Sequence, residues 1–199
     1  MKLSSEELTQ LAQMLAFTGN SLLKPMNQTS TVGLDAAFWD DLPSFGSEEA
    51  ASALDVLAAW ASVIDEERSE DVVRDLSVEY ARLFMGPPEP AVMPWETFYV
   101  EGGSDTGFGE QAFAMVRRLR NLGLAVSNDN NQYADHLGIE LLYLAELCQR
   151  CAAGAASGPS AVVVAPETRG DAFAAATVAG AAADEALGCE ERLRAFVRE

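Results

Sequence analysis

Asp135-His136-Leu137-Gly138-Ile139-Glu140-Leu141-Leu142-Tyr143-Leu144-Ala145-Glu146-Leu147-Cys148 is the stretch on which the fold class turns. Leu137, Ile139, Leu141, Leu142, Tyr143, Leu144 and Leu147 place apolar side chains almost all round a helix, the mark of a central, buried element. Asp135 is expected to cap it, and the pattern carries on to about Ala153.

Outward toward the N-terminus, the same period recurs. Ser4 or Ser5 can cap a first helix with Glu6 and Glu7 in its first turn, Leu8, Leu11, Leu15 and Leu22 as its stripe, and Pro25 as its stop. A turn-rich piece follows, holding Phe38 and Trp39. Ser47, then Glu48 and Glu49, opens a second long helix with Leu54, Leu57, Trp60 and Ile64 on one face. Ser69 is expected to cap a third, whose stripe is Val72, Leu76, Tyr80, Leu83 and Phe84, and Gly86-Pro87-Pro88 ends it. Residues 86–106 read as a loop, with four prolines, Trp95, Phe98, Tyr99, then Gly102-Gly103-Ser104. A structureless stretch of about 20 residues in a small domain tends to be functional. A helix from about Gly109 to Leu122 is expected to turn Phe113, Val116 and Leu119 inward, before a polar stretch from Ser127 to Gln132.

Beyond the quoted helix, residues 154–169 are rich in Gly, Ser, Pro and Ala, and Val162-Val163-Val164 is too short and isolated to found a sheet. An alanine-rich helix, a break at Gly188 and a short helix with Leu193, Phe196 and Val197 complete the chain. The sum is an all-α, single-domain helical bundle, residues 1–199, of about seven to nine helices.

Composition narrows the function. The 199 residues carry 13 Lys+Arg against 31 Asp+Glu, a net charge of −18. Such a chain suits neither nucleic acid nor an anionic lipid surface, and favours a basic partner. At 49% hydrophobic it folds rather than staying disordered. No segment approaches the ~20 apolar residues of a membrane span, and the N-terminus lacks a secretory h-region. Three cysteines make a disulfide framework unexpected, and the location expected is cytoplasmic.

Three sets of residues invite a chemical reading. His136, the sole histidine, is open to service as a cap, as a ligand contact, or as a general acid or base with Asp135 and Glu140. Cys148 and Cys151 form a CxxC, but near a helix C-terminus, where the dipole raises rather than lowers a thiol pKa. His136 lies about 18 Å along the helix from Cys148, so the two share no metal, and none is expected. Gly107-Phe108-Gly109 with Ala112 is a degenerate GxGxxA that follows no strand, so a dinucleotide is not implied. A loop with aromatics and prolines beside apolar helices, in an acidic chain, suits an apolar peptide with basic flanks.

Three segments resemble the TorD/DmsD family of redox-enzyme maturation chaperones. Glu79-Tyr80-Ala81-Arg82-Leu83-Phe84-Met85-Gly86-Pro87 is similar to its "EYxxLFxGP". Met93-Pro94-Trp95-Glu96-Thr97-Phe98-Tyr99 is similar to "PPWES-Y", with Thr97 replacing Ser. Ala134-Asp135-His136-Leu137-Gly138-Ile139-Glu140-Leu141 is similar to "PDHLGLEL", with Ala134 replacing Pro. The resemblance covers about residues 45–150; beyond 155 the alanine-rich stretch lacks the family's His and Trp. It implies an all-helical cytoplasmic chaperone that binds the twin-arginine leader of a molybdopterin-containing oxidoreductase and holds the apoprotein until maturation. It implies no catalytic residue and no cofactor beyond weak GTP binding by some members. The leader-binding residues it implies are Tyr80, Leu83, Phe84, Pro94, Trp95, Thr97, Tyr99, Asp135 and His136. Asp135 is the expected partner for a leader arginine, with Glu79, Glu96 and Glu140 as similar candidates or as ties between loop and helix. Gly86 and Gly138 are expected to serve turn geometry and close packing. Two other functions stand beside this one: a nucleotide hydrolase using Asp135, His136 and Glu140, and an acidic scaffold. The chain is expected to be a monomer or a homodimer.

Overall fold

The computed structural model describes residues 3–86, 88–100, 109–126 and 132–154. Among them are six α-helices and no strand. They are α1 (Ser5–Leu23), α2 (Ala36–Asp40), α3 (Glu48–Ala61), α4 (Glu66–Tyr80), α5 (Glu110–Asn121) and α6 (Leu137–Ala152). The protein is all-α, as the hydrophobic period requires. The expectations for 155–199, for 101–108 and for 127–131 fall outside the described residues. The chain divides into two compact units, Lys24–Val92 and Met1–Leu23 with Met93–Glu199.

In the unit Lys24–Val92, side-chain caps set the helix starts. Ser47 accepts from the Ala50 N–H at 3.1 Å and opens α3, as expected. Helix α4 starts earlier than its apolar stripe predicts: Asp65, not Ser69, is the cap, accepting from the Arg68 N–H at 2.9 Å. Ser69 is already inside the helix and donates back to the Glu66 carbonyl. The turn-rich piece contains α2, capped by Asp35, whose Phe38 and Trp39 meet edge to face at 4.9 Å. Helix α2 packs on α3. Ala58 and Ala61 are the buried positions of α3, while Trp60 is 37% exposed and sits at the margin of the face assigned to it. Helix α4 rests against the 3-10 turn Met26–Gln28, and the Asn27 N–H donates to Ser77 Oγ at 3.1 Å.

The end of α4 departs from simple termination. Residues Ala81–Met85 widen into a π-turn, closed by the Gly86 N–H on the Ala81 carbonyl at 3.0 Å. Gly86 then takes φ +74°, the left-handed region where a side chain is strained. Its glycine is therefore required by turn geometry, as expected.

In the other unit, a reciprocal capping box opens α1. The Glu7 N–H donates to Ser4 Oγ at 3.2 Å and the Ser4 N–H donates to Glu7 Oε2 at 2.7 Å. Bonding to Ser4 holds the Glu7 carboxyl below the usual range. Helix α1 ends at Leu23, before Pro25. It packs along α6, and the two backbones nearly touch. A Cβ built on Gly19 would lie 2.8 Å from the Gly138 carbonyl oxygen, and one on Gly138 2.7 Å from the Gly19 oxygen. Around this crossing lie Leu23, Met115, Leu119, Leu122, Ile139, Leu142, Tyr143 and Leu147 in one buried cluster. Met115 and Leu147 are wholly buried, each contributing about 2–3 kcal/mol by removal from water. Phe113 is 48% exposed, contrary to its expected inward place. Ala112, Met115 and Leu119 recur at the helical period, and that face excludes position 113, about 100° away. Leu137 is likewise exposed, so α6 is buried on most of its circumference rather than all of it.

Candidate functional site

The segment Pro94–Tyr99 is tied to the N-terminus of α6 through its backbone. Trp95 and His136 form an isolated antiparallel bridge. The Leu137 N–H donates to the Pro94 carbonyl at 2.8 Å, and the Glu96 N–H donates to the Asp135 carbonyl at 3.0 Å. Residues Glu96–Phe98 then make one 3-10 turn. The part of the proline-rich loop nearest α6 is thus ordered by main-chain pairing, which residue composition does not announce.

Asp135 is not the cap of α6. His136 is: its Nδ1 accepts from the Gly138 N–H at 3.0 Å. Being an acceptor there, the ring is neutral with its proton on the other nitrogen. Burial pulls its pKa down to about 4, against the Asp135 charge that raises it. His136 is 1% exposed and its ring meets Trp95 edge-on at 5.8 Å. Asp135 is freed from capping and is 0% exposed. Its Oδ2 accepts from the Thr97 N–H at 3.1 Å and also from the Thr97 hydroxyl. The carboxylate therefore pins the 3-10 turn to the start of α6. Thr97 is itself wholly buried, and a Cβ on Gly109 would lie 2.8 Å from its Cγ2. The Gly107-Phe108-Gly109 run thus has a packing reason at Gly109, where α5 begins against Thr97.

Glu140, in the first turn of α6, is partly buried, and the Glu96 carboxyl acts on it. Burial first, then the charges of Glu96 and Asp135, push its pKa up to about 7, while Arg118 of α5 acts to lower it. Three polar atoms of this corner are buried without a hydrogen-bond partner: Trp95 Nε1, Asp135 Oδ1 and Glu140 Oε1. Near them the Trp95 and Phe98 rings lie 5.9 Å apart, and Tyr99, 69% exposed, faces solvent.

The sequence-derived residues therefore separate by unit. Pro94, Trp95, Glu96, Thr97, Tyr99, Asp135, His136 and Glu140 come together at the α6 N-terminus. Tyr80, Leu83 and Phe84 belong to the Lys24–Val92 unit. There the Tyr80 and Phe84 rings stack tilted at 5.2 Å, and burial pushes the Tyr80 phenol up to about 12. The Leu83 carbonyl accepts from the Val92 N–H at 2.9 Å, folding the chain after Gly86 back on the π-turn. The packing roles of Gly19 and Gly109 have no signal in the sequence. No local period carries them, because each residue is small for the sake of a backbone or side chain distant along the chain.

Nothing in this arrangement resembles a metal or thiol centre. Among the described residues no group of His, Cys, Asp and Glu could hold a metal ion. Cys148 is a buried free thiol pushed up to about 11 by burial, the reverse of an activated cysteine. Cys151 is disulfide-bonded, so the two cysteines of the CxxC are not bonded to each other. No helix among the described residues is long and apolar enough to cross a membrane.

Comparison with known proteins gives a consistent picture. Residues 46–198 match the family described as nitrate reductase delta subunit. Over 118 residues the chain is 30% identical to the chaperone protein TorD of Shewanella pealeana, covering 56% of this chain and 51% of that protein. Over 120 residues it is 28% identical to the chaperone protein TorD of Shewanella piezotolerans, covering 56% and 52%. The chain thus spans about half the length of the curated relatives it matches. No solved structure matches it.

Proposed function

The chain belongs to the nitrate reductase delta subunit family, the family of TorD-type chaperones, and from that premise we propose that it is a single-domain cytoplasmic chaperone for a redox enzyme. Its client is the twin-arginine leader and apoprotein of a molybdopterin-containing oxidoreductase. The observation that carries this reading is the corner at the α6 N-terminus. Exposed Tyr99 and Leu137 and partly exposed Trp95 offer apolar surface. Partly exposed Glu96 and Glu140 offer negative charge beside it. An apolar stretch with basic residues at one end complements both.

The buried Asp135 and His136 serve this site as positioning residues, since their side chains are spent on Thr97 and Gly138. The same burial speaks against the hydrolase alternative, which needs a base in reach of a substrate. Calorimetry with a synthetic twin-arginine leader tests the reading. Replacing both arginines by glutamine should weaken binding about tenfold or more, the scale of a lost charged hydrogen bond. A leader that does not bind, or binds equally well without its arginines, removes the reading.

A further inference from the structure

Helix α3 is apolar on two sides, and only one of them is buried. Ala58 and Ala61 form the buried side, and the helix packs on α2. Val56 and Trp60 each stand two positions from Ala58, about 160° away by the shorter arc at about 100° per residue. Val63, in the turn that follows the helix, extends their line, so the three recur at i, i+4 and i+7. Val56 is 65% exposed, Trp60 37% and Val63 66%. Ala53 and Ala59 beside them are exposed as well. One exposed valine is ordinary. A Val-Trp-Val line about 10 Å long is a face, and a helix apolar all round normally has every side packed. Trp is also among the residue types most enriched at the energetic centres of protein interfaces.

Charge selects what this face takes. No Lys or Arg stands between Lys24 and Arg68, whereas nine Asp and Glu do. Glu48, Glu49 and Asp55 on the helix are exposed, as are Asp65, Glu66 and Glu67 just beyond it. Farther along, Arg74 lies against Asp71 and Asp75, and Arg82 against Glu79. The Lys24–Val92 unit as a whole holds 14 acids against four bases, a charge of −10. A second copy of the chain would set that charge against itself. We propose that the outer face of α3 is a docking surface for a basic amphipathic helix of a partner protein. The apolar side of that helix lies on Val56, Trp60 and Val63, and its Lys and Arg side chains reach the acids at both ends of the line. Apolar contact supplies affinity, and the acids supply the encounter rate and the choice of partner. This surface goes beyond leader binding, since it belongs to a different unit from the α6 corner.

The probe is a synthetic Leu/Lys peptide of about 18 residues, about five helical turns, with its leucines on one face. A scrambled peptide of the same composition and a Leu/Glu counterpart are the controls. Calorimetry on the full chain should show binding of the Leu/Lys helix and neither control. The double variant Val56→Gln/Val63→Gln should bind it about tenfold more weakly or worse, with an unchanged melting temperature because both side chains are exposed. Val78→Gln, at a valine of α4 that is 63% exposed, should bind it as the parent does. Trp60 fluorescence, taken as the difference between the parent and Trp60→Phe, should be open to acrylamide quenching before the peptide is added and shielded afterwards. Equal binding by the double variant, or by the scrambled peptide, would reduce the effect to general attraction and overturn the proposal. Trp60 shielded without peptide would mean that the face is already covered, and self-association lost in the double variant would mean that it joins two copies. Either result overturns the proposal too. So does a twin-arginine leader whose affinity falls in the double variant, because the face would then be part of the leader's own site. Failure of the leader to bind at all leaves this proposal standing and removes only the reading of the α6 corner.

Discussion

Thr97 and Asp135 are each wholly buried and each is the other's hydrogen-bond partner, so neither can be removed alone without stranding the other. Thr97→Val keeps the shape and deletes the hydroxyl, leaving Asp135 Oδ2 with one donor. That should cost about 2 kcal/mol, the scale of a hydrogen bond to a charged group, and Thr97→Ser should cost less. Asp135→Ala strands the Thr97 N–H and hydroxyl together and should cost about 3 kcal/mol or more. Asp135→Asn keeps an oxygen where Oδ2 stands and should cost about 1 kcal/mol, while lowering the Glu140 titration by removing a nearby charge. Urea unfolding of the four variants checks the order; equal losses for Asp135→Asn and Asp135→Ala would mean the acceptor oxygen is not what matters. His136 predicts a pH effect. Its folded pKa lies at about 4, below the ordinary 6.5. The unfolded chain therefore binds a proton first, and stability present above 6.5 is lost as pH falls toward 4. His136→Asn keeps a side-chain cap and should lack that acid-side slope, whereas His136→Ala should lose the cap, worth about 1 kcal/mol. Equilibrium unfolding between about pH 4 and 7.5 separates the two.

At the scale of elements, the informative contact is the crossing of α1 and α6. Gly19 and Gly138 present backbone to backbone, and a methyl on either meets the other's carbonyl oxygen, which cannot rotate away. Either Gly19→Ala or Gly138→Ala should force the helices apart and destabilise by about 1–3 kcal/mol. The double variant should cost less than the sum, because the first separation makes room for the second methyl. Thermal unfolding of the three variants is the measurement, and strict additivity would argue that the two glycines act separately. The helix starts at Ser4 and Ser47 are readable from a Ser followed by acids, but the same pattern at Ser69-Glu70-Asp71 falls inside α4. The start of α4 is not readable in this way, because Asp65 stands in an acidic run with several eligible caps, and only the bond to the Arg68 N–H selects one. The π-turn after α4 is equally hidden, since it is set by the Gly86 N–H reaching back to the Ala81 carbonyl, a backbone choice that apolar spacing does not record.

For the whole molecule, the net charge of −18 sets two opposite salt effects. Screening should stabilise the fold by easing self-repulsion and should weaken binding of a basic leader. Melting temperature and leader affinity measured across about 0.05–0.5 M salt should therefore move in opposite senses. The pH dependence also has two sides. Glu140 is raised from 4.5 to about 7, so the native state holds its proton longer than the unfolded chain, and stability declines as pH rises through that window. Glu146, raised by burial, pushes the same way, and His136 pushes the other way below 6.5. Glu140→Gln imitates the protonated acid, so it should be more stable than the parent at about pH 8 and no more stable at about pH 4. A variant that gains nothing in alkali would show that Glu140 ionises without cost.

Apolar spacing alone is enough to establish that this is an all-α chain, because a 3.6-residue period is a local property that survives without knowledge of neighbours. The three motif segments are equally plain as strings of residues, and with them the family. Their division of labour is not. Asp135 reads as a cap because carboxylates cap well, yet the cap is His136, and the carboxylate turns instead to Thr97, thirty-eight positions away. That choice depends on a backbone bridge between Trp95 and His136, and no periodicity encodes a pairing across such a distance. The same holds for Gly19 against Gly138, and for Thr97 against Gly109. Each is a contact between elements, and its energy exists only once packing has brought two remote segments together and taken them out of water.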